Sequence, residues 1–270
     1  MPKMITVSPN VPVYDYPLLY TIPATVAPGS TANPTQELRF DTDSFFIVTH
    51  LKASRAGRFK TFIKDSRGNT FMNTAIEDAI LWGSEPTAAA PYAQPFALPF
   101  PLVIPPATNL LFDLQDMTGA PNAVQLCVCG YKHKDLSRPP KIGLTREDGS
   151  EKPIRDNWYM YGLDVPTMAA GDDNIFPLVL DRGSNFIIFN FRHFATATAN
   201  GGFETQLSDP REKWSLDLIR RDNRWGNAYF PSRLAQPKLM ISDSKITARV
   251  HNIAGALNSI QLAFDGMKVR

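Results

Sequence analysis

Four histidines, His50, His133, His193 and His251, are the side chains best suited to hold a metal or move a proton at neutral pH. A zinc or iron site built on one element places its ligands two to four residues apart on a strand or helix. None of these histidines has a second ligand at such a spacing, and each falls in a different predicted strand. They read as structural histidines, and no metal is expected. A serine nucleophile needs a base, an orienting group and often a Gly-x-Ser-x-Gly elbow. That elbow is missing, so Gly83-Ser84 and Gly183-Ser184 read as turns. Asp172-Asp173 and Glu147-Asp148 are carboxylate pairs, but they lack the Asp-x-Asp-x-Asp-Gly spacing of a calcium loop. Both pairs resemble glycosidase or calcium residues only in type, and Glu147-Asp148-Gly149-Ser150 reads as a solvated turn. No glycine-rich phosphate loop is present, no cofactor is expected, and the chain is not expected to be an enzyme.

The only cysteines, Cys127 and Cys129, stand two apart in a predicted strand and therefore face the same way. Their Cα atoms would lie about 6.5–7 Å apart, at the limit for a disulfide, so two free thiols are expected. Trp82 and Trp225 recur at matching places in the two halves and read as duplicated core positions. Two aromatic groups remain as candidate interaction residues. Tyr14, Tyr16 and Tyr20 lie in a proline-rich N-terminal stretch, and Trp158, Tyr159 and Tyr161 in a run between the halves. Aromatic side chains anchor partner surfaces because they bury much area and keep a polar tip.

The composition limits the partners. With 28 basic and 26 acidic residues the net charge is +2, which excludes binding that rests on neutralising many phosphates. Lys132, His133, Lys134, Arg138 and Lys141, and Arg220, Arg221 and Arg224, form local basic clusters that read as solvated faces. No apolar run is long enough for a bilayer, and prolines at 9, 12, 17 and 23 interrupt any leader. A soluble chain made in the cytoplasm is expected.

The dominant signal is an internal repeat. Gly119, Ala120, Asn122, Gln125, Leu126, Gly130 and Lys132 fall on Gly255, Ala256, Asn258, Gln261, Leu262, Gly266 and Lys268 at a constant separation of 136 residues. Phe59-x-Thr61-x-Ile63-x-Asp65 matches Phe203-x-Thr205-x-Leu207-x-Asp209, Trp82-Gly83 matches Trp225-Gly226, and Phe46-Ile47 matches Phe186-Ile187. These matches keep their order, with separations of 140 to 144 residues, as loop insertions in a duplicated module produce.

Each half reads as short strands with turn residues between them. Residues 45–51 and 59–64 alternate or run apolar, Asp65-Ser66-Arg67-Gly68-Asn69 is a turn, and 110–114 and 124–130 flank Thr118-Gly119-Ala120-Pro121-Asn122. Only 73–81 and 215–221 could be short helices. The fold class is all-β: two tandem antiparallel β-sandwich domains of jelly-roll type, 36–135 and 173–270. An extended arm (1–35), laden with prolines that cannot donate to a sheet, precedes them, and an ordered linker (136–172) joins them.

The end of the first half, Pro95-Phe96-Ala97-Leu98-Pro99-Phe100-Pro101 followed by Asp-x-Thr-Gly-Ala-x-Asn at 116–122 and an apolar strand ending in Gly130, resembles tailed-bacteriophage virion structural proteins. The second copy, 237–268, has lost the Pro-Phe run and has Asn252 for Asp116. The layout is also similar to double-jelly-roll capsid proteins, although the sequence does not display eight strands per unit. These resemblances imply a non-enzymatic virion component: a minor capsid, decoration or head–tail connecting protein, with a tailless-virus major capsid protein as the alternative. Its partners would be other virion proteins and copies of itself in a symmetric homo-oligomer, with no membrane or nucleic acid. A carbohydrate- or receptor-binding sandwich, with Trp158, Tyr159 and Tyr161 exposed in a row, is the reading from another class.

Overall fold

The computed structural model describes residues 16–28, 35–83, 96–134, 136, 157–227 and 230–269. The first unit is built from β1 (Tyr16–Val26), β2 (Gln36–Arg39), β3 (Phe45–Arg55), β4 (Phe59–Asp65), β5 (Ile76–Glu77), β6 (Phe96–Ile104), β7 (Asn109–Asp116) and β8 (Asn122–His133). A single helical turn, α1 (Asp78–Leu81), follows β5. The second unit repeats the plan with β9 (Trp158–Met168), β10 (Asp173–Val179), β11 (Asn185–Ala195), β12 (Phe203–Ser208), β13 (Ile219–Arg220), β14 (Ser232–Met240), β15 (Lys245–Asn252) and β16 (Asn258–Val269). Here α2 (Arg221–Arg224) follows β13.

Strands alternate between two four-stranded sheets in each unit. The first unit has sheet orders β1-β8-β3-β6 and β2-β7-β4-β5, and the second has β9-β16-β11-β14 and β10-β15-β12-β13. Every pairing between these strands is antiparallel. Eight strands wound in this order are a complete jelly roll, so the all-β, twice-repeated sandwich is the observed fold.

Alternation builds the interior of each sandwich. In β4 and β7 every second side chain is buried, which puts Phe59, Ile63, Phe112 and Leu114 inside. The second interior is formed the same way by Phe186, Phe203, Leu207, Val250 and Phe264. Trp82 and Trp225 fill corresponding core positions. Each indole N–H donates to the hydroxyl of the matching threonine, Thr61 at 3.0 Å and Thr205 at 2.8 Å.

Several boundaries differ from the sequence expectation. Residues 16–26 lie within the predicted arm yet pair along their whole length with β8, from Tyr16 opposite Lys132 to Val26 opposite Asn122. Pro17 and Pro23 are tolerated because β1 is the edge of its sheet. Residues 158–168 lie within the predicted linker but form β9, the first strand of the second jelly roll. The expected helix at 73–81 shrinks to the four residues of α1, whereas 215–220 is not helical and α2 begins only at Arg221.

Candidate functional site

The interface between the two units holds a dense set of buried polar groups. It forms where the outer face of the β9-β16-β11-β14 sheet meets β5, α1, the start of β6 and the connection from β4 to β5. Strand β9 separates two cores. Trp158 and Met160 join the first unit's core, while Tyr159, Tyr161, Leu163 and Val165 join the second.

Asp265, on β16, is the centre of this face and is 0% exposed. One of its carboxylate oxygens accepts from the Trp158 indole at 2.7 Å. The other accepts from Asn190 Nδ2 at 3.0 Å and from Arg192 Nε at 3.0 Å. Arg192 is likewise 0% exposed, and its guanidinium stacks 3.8 Å from the ring centroid of Phe96 in the first unit. Burial lowers the Arg192 pKa from its ordinary value, and the neighbouring Asp265 charge opposes that shift.

Around this centre, side chains clamp backbone across the two units. Gln261 accepts from Glu77 N–H at 2.7 Å and donates to Ala75 C=O at 2.9 Å and to Asp164 at 2.8 Å. The Asn73 amide pairs with the Gly162 peptide in both directions, at 2.6 and 3.0 Å. A Cβ on Gly162 would lie 2.5 Å from Ile76 Cδ1 and 2.7 Å from Thr74 Cγ2, so a larger residue there has to push these side-chain ends aside. Met160 N–H donates to Phe71 C=O at 3.0 Å, Lys60 pairs with Asp164 at 2.7 Å, and Arg58 lies 4.2 Å from the Phe194 ring centroid. Burial pushes the Glu77 pKa up, and Arg58 and Lys60 counter it. Such a network resists sliding of one unit on the other, because any shift leaves several buried donors and acceptors unpaired. Chemically it can hold a fixed geometry.

The other candidate residues are scattered. His50 Nδ1 lies 2.9 Å from Thr49 Oγ1, His193 Nδ1 donates to Gly226 C=O at 2.8 Å, and His251 lies 3.5 Å from Glu204. His133 packs beside Phe45. Among the described residues no three His, Cys, Asp or Glu side chains gather as a metal site would require. Asp172 accepts from Ala169 N–H and Asp173 pairs with Arg249, while Glu147 and Asp148 lie outside the described residues. Gly183 (φ 82°) sits in the turn between β10 and β11. Cys127 and Cys129 are free thiols with their sulfurs 3.6 Å apart. The second basic cluster is met locally: Arg220 by Glu204, Arg221 by Asp222, and the buried Arg224 by the Thr205 carbonyl. In the first, Lys132 pairs with Asp41, and Arg138 and Lys141 lie outside the described residues.

The aromatic candidates divide. Tyr14 lies outside the described residues, and for Tyr16 the backbone alone, in β1, is described. Tyr20 is half-buried, edge-on to Phe40 and Phe46 at 4.8 and 5.0 Å. Trp158, Tyr159 and Tyr161 are 1%, 3% and 1% exposed, which corrects the expectation of an exposed row. Their strand lies between two cores, and its side chains are consumed by both. Burial raises the pKa of Tyr159 and Tyr161, so both phenols stay neutral. The clamp residues Arg192, Asn73 and Gly162 carried no sequence signal of their own. Gln261 did, as one of the residues the repeat retains.

No family model matches the chain, and no curated protein matches it. Among solved structures it is similar to the protein YhaK from Escherichia coli, at 10% identity and a TM-score of 0.21, over 92% of this chain and 85% of that one. AerE from Microcystis aeruginosa matches at 8% identity and a TM-score of 0.19, over 92% and 87%. Vicilin from Solanum lycopersicum (tomato) matches at 8% identity and a TM-score of 0.18, over 94% and 74%. Likenesses this distant carry no argument about function.

Proposed function

We propose that this chain is a non-enzymatic structural subunit of a viral particle, built on the double-jelly-roll plan. The observation that carries the reading is the completeness of the duplication: two eight-stranded jelly rolls in one chain, cemented side by side by buried polar clamps. Jelly rolls also serve lectins and enzymes, so the contents of the barrels matter. Here aromatic and aliphatic side chains such as Trp82, Phe112, Phe203 and Phe264 fill both interiors. A shell subunit needs that arrangement, because it must present fixed faces to neighbours and uses no internal pocket.

Eight strands per unit favour a shell-forming capsid subunit of a tailless virus over a decoration or connector protein. The burial of Trp158, Tyr159 and Tyr161 weakens the glycan-binding reading, which needs them exposed. In this proposal the chain resides in the virion, and its partners are further copies of itself and other virion proteins.

A mass spectrum of nuclease-protected particles, banded from lysates of cells that carry the gene, tests this. The chain is expected among the most abundant proteins of those particles. Particles that band without it would remove the proposal.

A further inference from the structure

The contact that joins the two units is head-to-tail. The connection from β4 to β5 in the first unit lies against the outer sheet face of the second, so the two contributing surfaces differ. Because the units are copies, each surface has a counterpart, and among the described residues neither counterpart is used in this way. The strand registers identify them.

The counterpart of the covered face is the outer face of β1-β8-β3-β6. Both faces have the same register shift, at Val48/His50 and at Ile188/Asn190, with Gly130 and Gly266 opposite. Gln125 therefore occupies the place of Gln261, Cys129 that of Asp265, Lys52 that of Arg192, and Thr21 that of Gly162. Gln261 and Asp265 are 2% and 0% exposed, whereas Gln125 is exposed and Cys129 half-buried.

The counterpart of the docking end is residues 215–220 with α2. Trp214 N–H donates to Leu207 C=O as Phe71 N–H does to Ile63 C=O, and Gly226 bridges Arg192 as Gly83 bridges Lys52. Leu216 thereby takes the place of Asn73. It is 89% exposed, a large apolar side chain at the tip of a loop. Leu218 and Arg220 stand where Ala75 and Glu77 present the carbonyl and N–H that Gln261 holds.

We propose that a second copy of this chain seats its 215–220 loop on the outer face of the first unit's β1-β8-β3-β6 sheet, repeating between chains the contact made within the chain. Gln125 takes the role of Gln261, accepting from Arg220 N–H and donating to Leu218 C=O, and Leu216 is covered near Thr21. A contact between unlike surfaces propagates, closing as a ring where the rotation permits and running on as a filament where it does not. The inference rests on the duplication and stands apart from the virion reading.

Sedimentation velocity of the full chain over a concentration series, with Leu216→Asp and Gln125→Ala, tests it. The unsubstituted chain is expected to self-associate, and each substitution to weaken association roughly tenfold or more while circular dichroism and thermal melting stay unchanged. A Thr21→Cys/Leu216→Cys chain in a Cys127→Ser/Cys129→Ser background should form interchain disulfides with diamide. A chain that stays monomeric at every concentration, or that assembles equally well with Leu216→Asp and without interchain cross-links, overturns the proposal. Self-association by a chain missing from particles would sink only the virion reading. Particles that contain the chain but assemble unchanged with both substitutions would sink only this one.

Discussion

Arg192 and Asp265 form an ion pair at 2.8 Å with neither side chain exposed, on the sheet face that the first jelly roll covers. Charges taken this far from water are costly unless attraction and further hydrogen bonds offset the lost hydration. Here Trp158 and Asn190 occupy the remaining acceptor sites of the carboxylate, and the Phe96 ring lies against the guanidinium. Phe96 comes from the first unit, so the pair is complete only when the units are docked.

Removing one partner leaves the other as an uncompensated buried charge, which typically costs about 3–5 kcal/mol. Asp265→Ala is therefore expected to lower the unfolding free energy by about that amount in urea titrations. Asp265→Asn, which keeps an acceptor for the Trp158 indole, should fall between the two. A change below about 1 kcal/mol for Asp265→Ala would show that the pair does not hold the units together.

The repeat was readable because turn glycines, core aromatics and alternation survive duplication in place, as Gly119/Gly255 and Trp82/Trp225 do. The eight-strand count was not, because β5 and β13 are two residues long and carry no alternation to detect. Strand β1 was disguised by Pro17 and Pro23, which read as an arm until its partner β8 makes it an edge strand. Trp158-Tyr159-Met160-Tyr161 suggested a sticky surface, since a run buried on both faces looks the same in sequence as an exposed aromatic patch. The clamp was invisible for a related reason. Asp265 and Arg192 alternate with core residues as solvent-facing side chains would, and only the docking of the other unit buries them.

The Trp–Thr pairs are a second, independent test of the duplicated core. Each threonine is 0% exposed and supplies the acceptor for a buried indole N–H. Thr205→Val keeps the shape but leaves that donor unpaired, at an expected cost of about 1–3 kcal/mol. Adding Trp225→Phe removes the unpaired donor, so the double variant should lose less than the two single changes together predict, even though Phe leaves some space. Thr61→Val and Trp82→Phe should behave alike in the first unit.

His193 makes stability fall in mild acid. Burial, reinforced by the Arg221 charge, lowers its pKa from 6.5 to about 4. Between those values the unfolded chain binds a proton that the folded chain does not, so stability rises with pH across this window, by about 1.4 kcal/mol per unit at most. Full stability from this group is present above pH 6.5, and lowering the pH from 6.5 to 5 costs about 1.5 kcal/mol. His193→Gln should flatten that slope in urea midpoints measured at both values. Asp209 acts lower: burial would raise its pKa, but Trp214, the Arg211 and Glu212 N–H groups and Lys238 hold it at about 2. Its contribution is present above 3.8 and is lost as pH falls toward 2.

The register shift in β3 and β11 depends on the glycine opposite it. A Cβ on Gly130 would lie 2.0 Å from the Ile47 carbonyl oxygen, and one on Gly266 2.0 Å from that of Ile187. The obstacle is backbone in a paired central strand, so no side-chain rotation relieves it. Gly266→Ala is expected to cost more than about 3 kcal/mol, or to prevent folding, because the ladder itself must shift. Gly68→Ala is the control. Its φ of +86° is unfavourable for alanine, but nothing lies within 4 Å of the added carbon, so the cost should stay near about 1 kcal/mol. Thermal melts of the two variants separate lack of space from backbone conformation. Equal, small losses would mean that the strands part easily at the shift, and that the matching glycines in the two units are incidental to the fold.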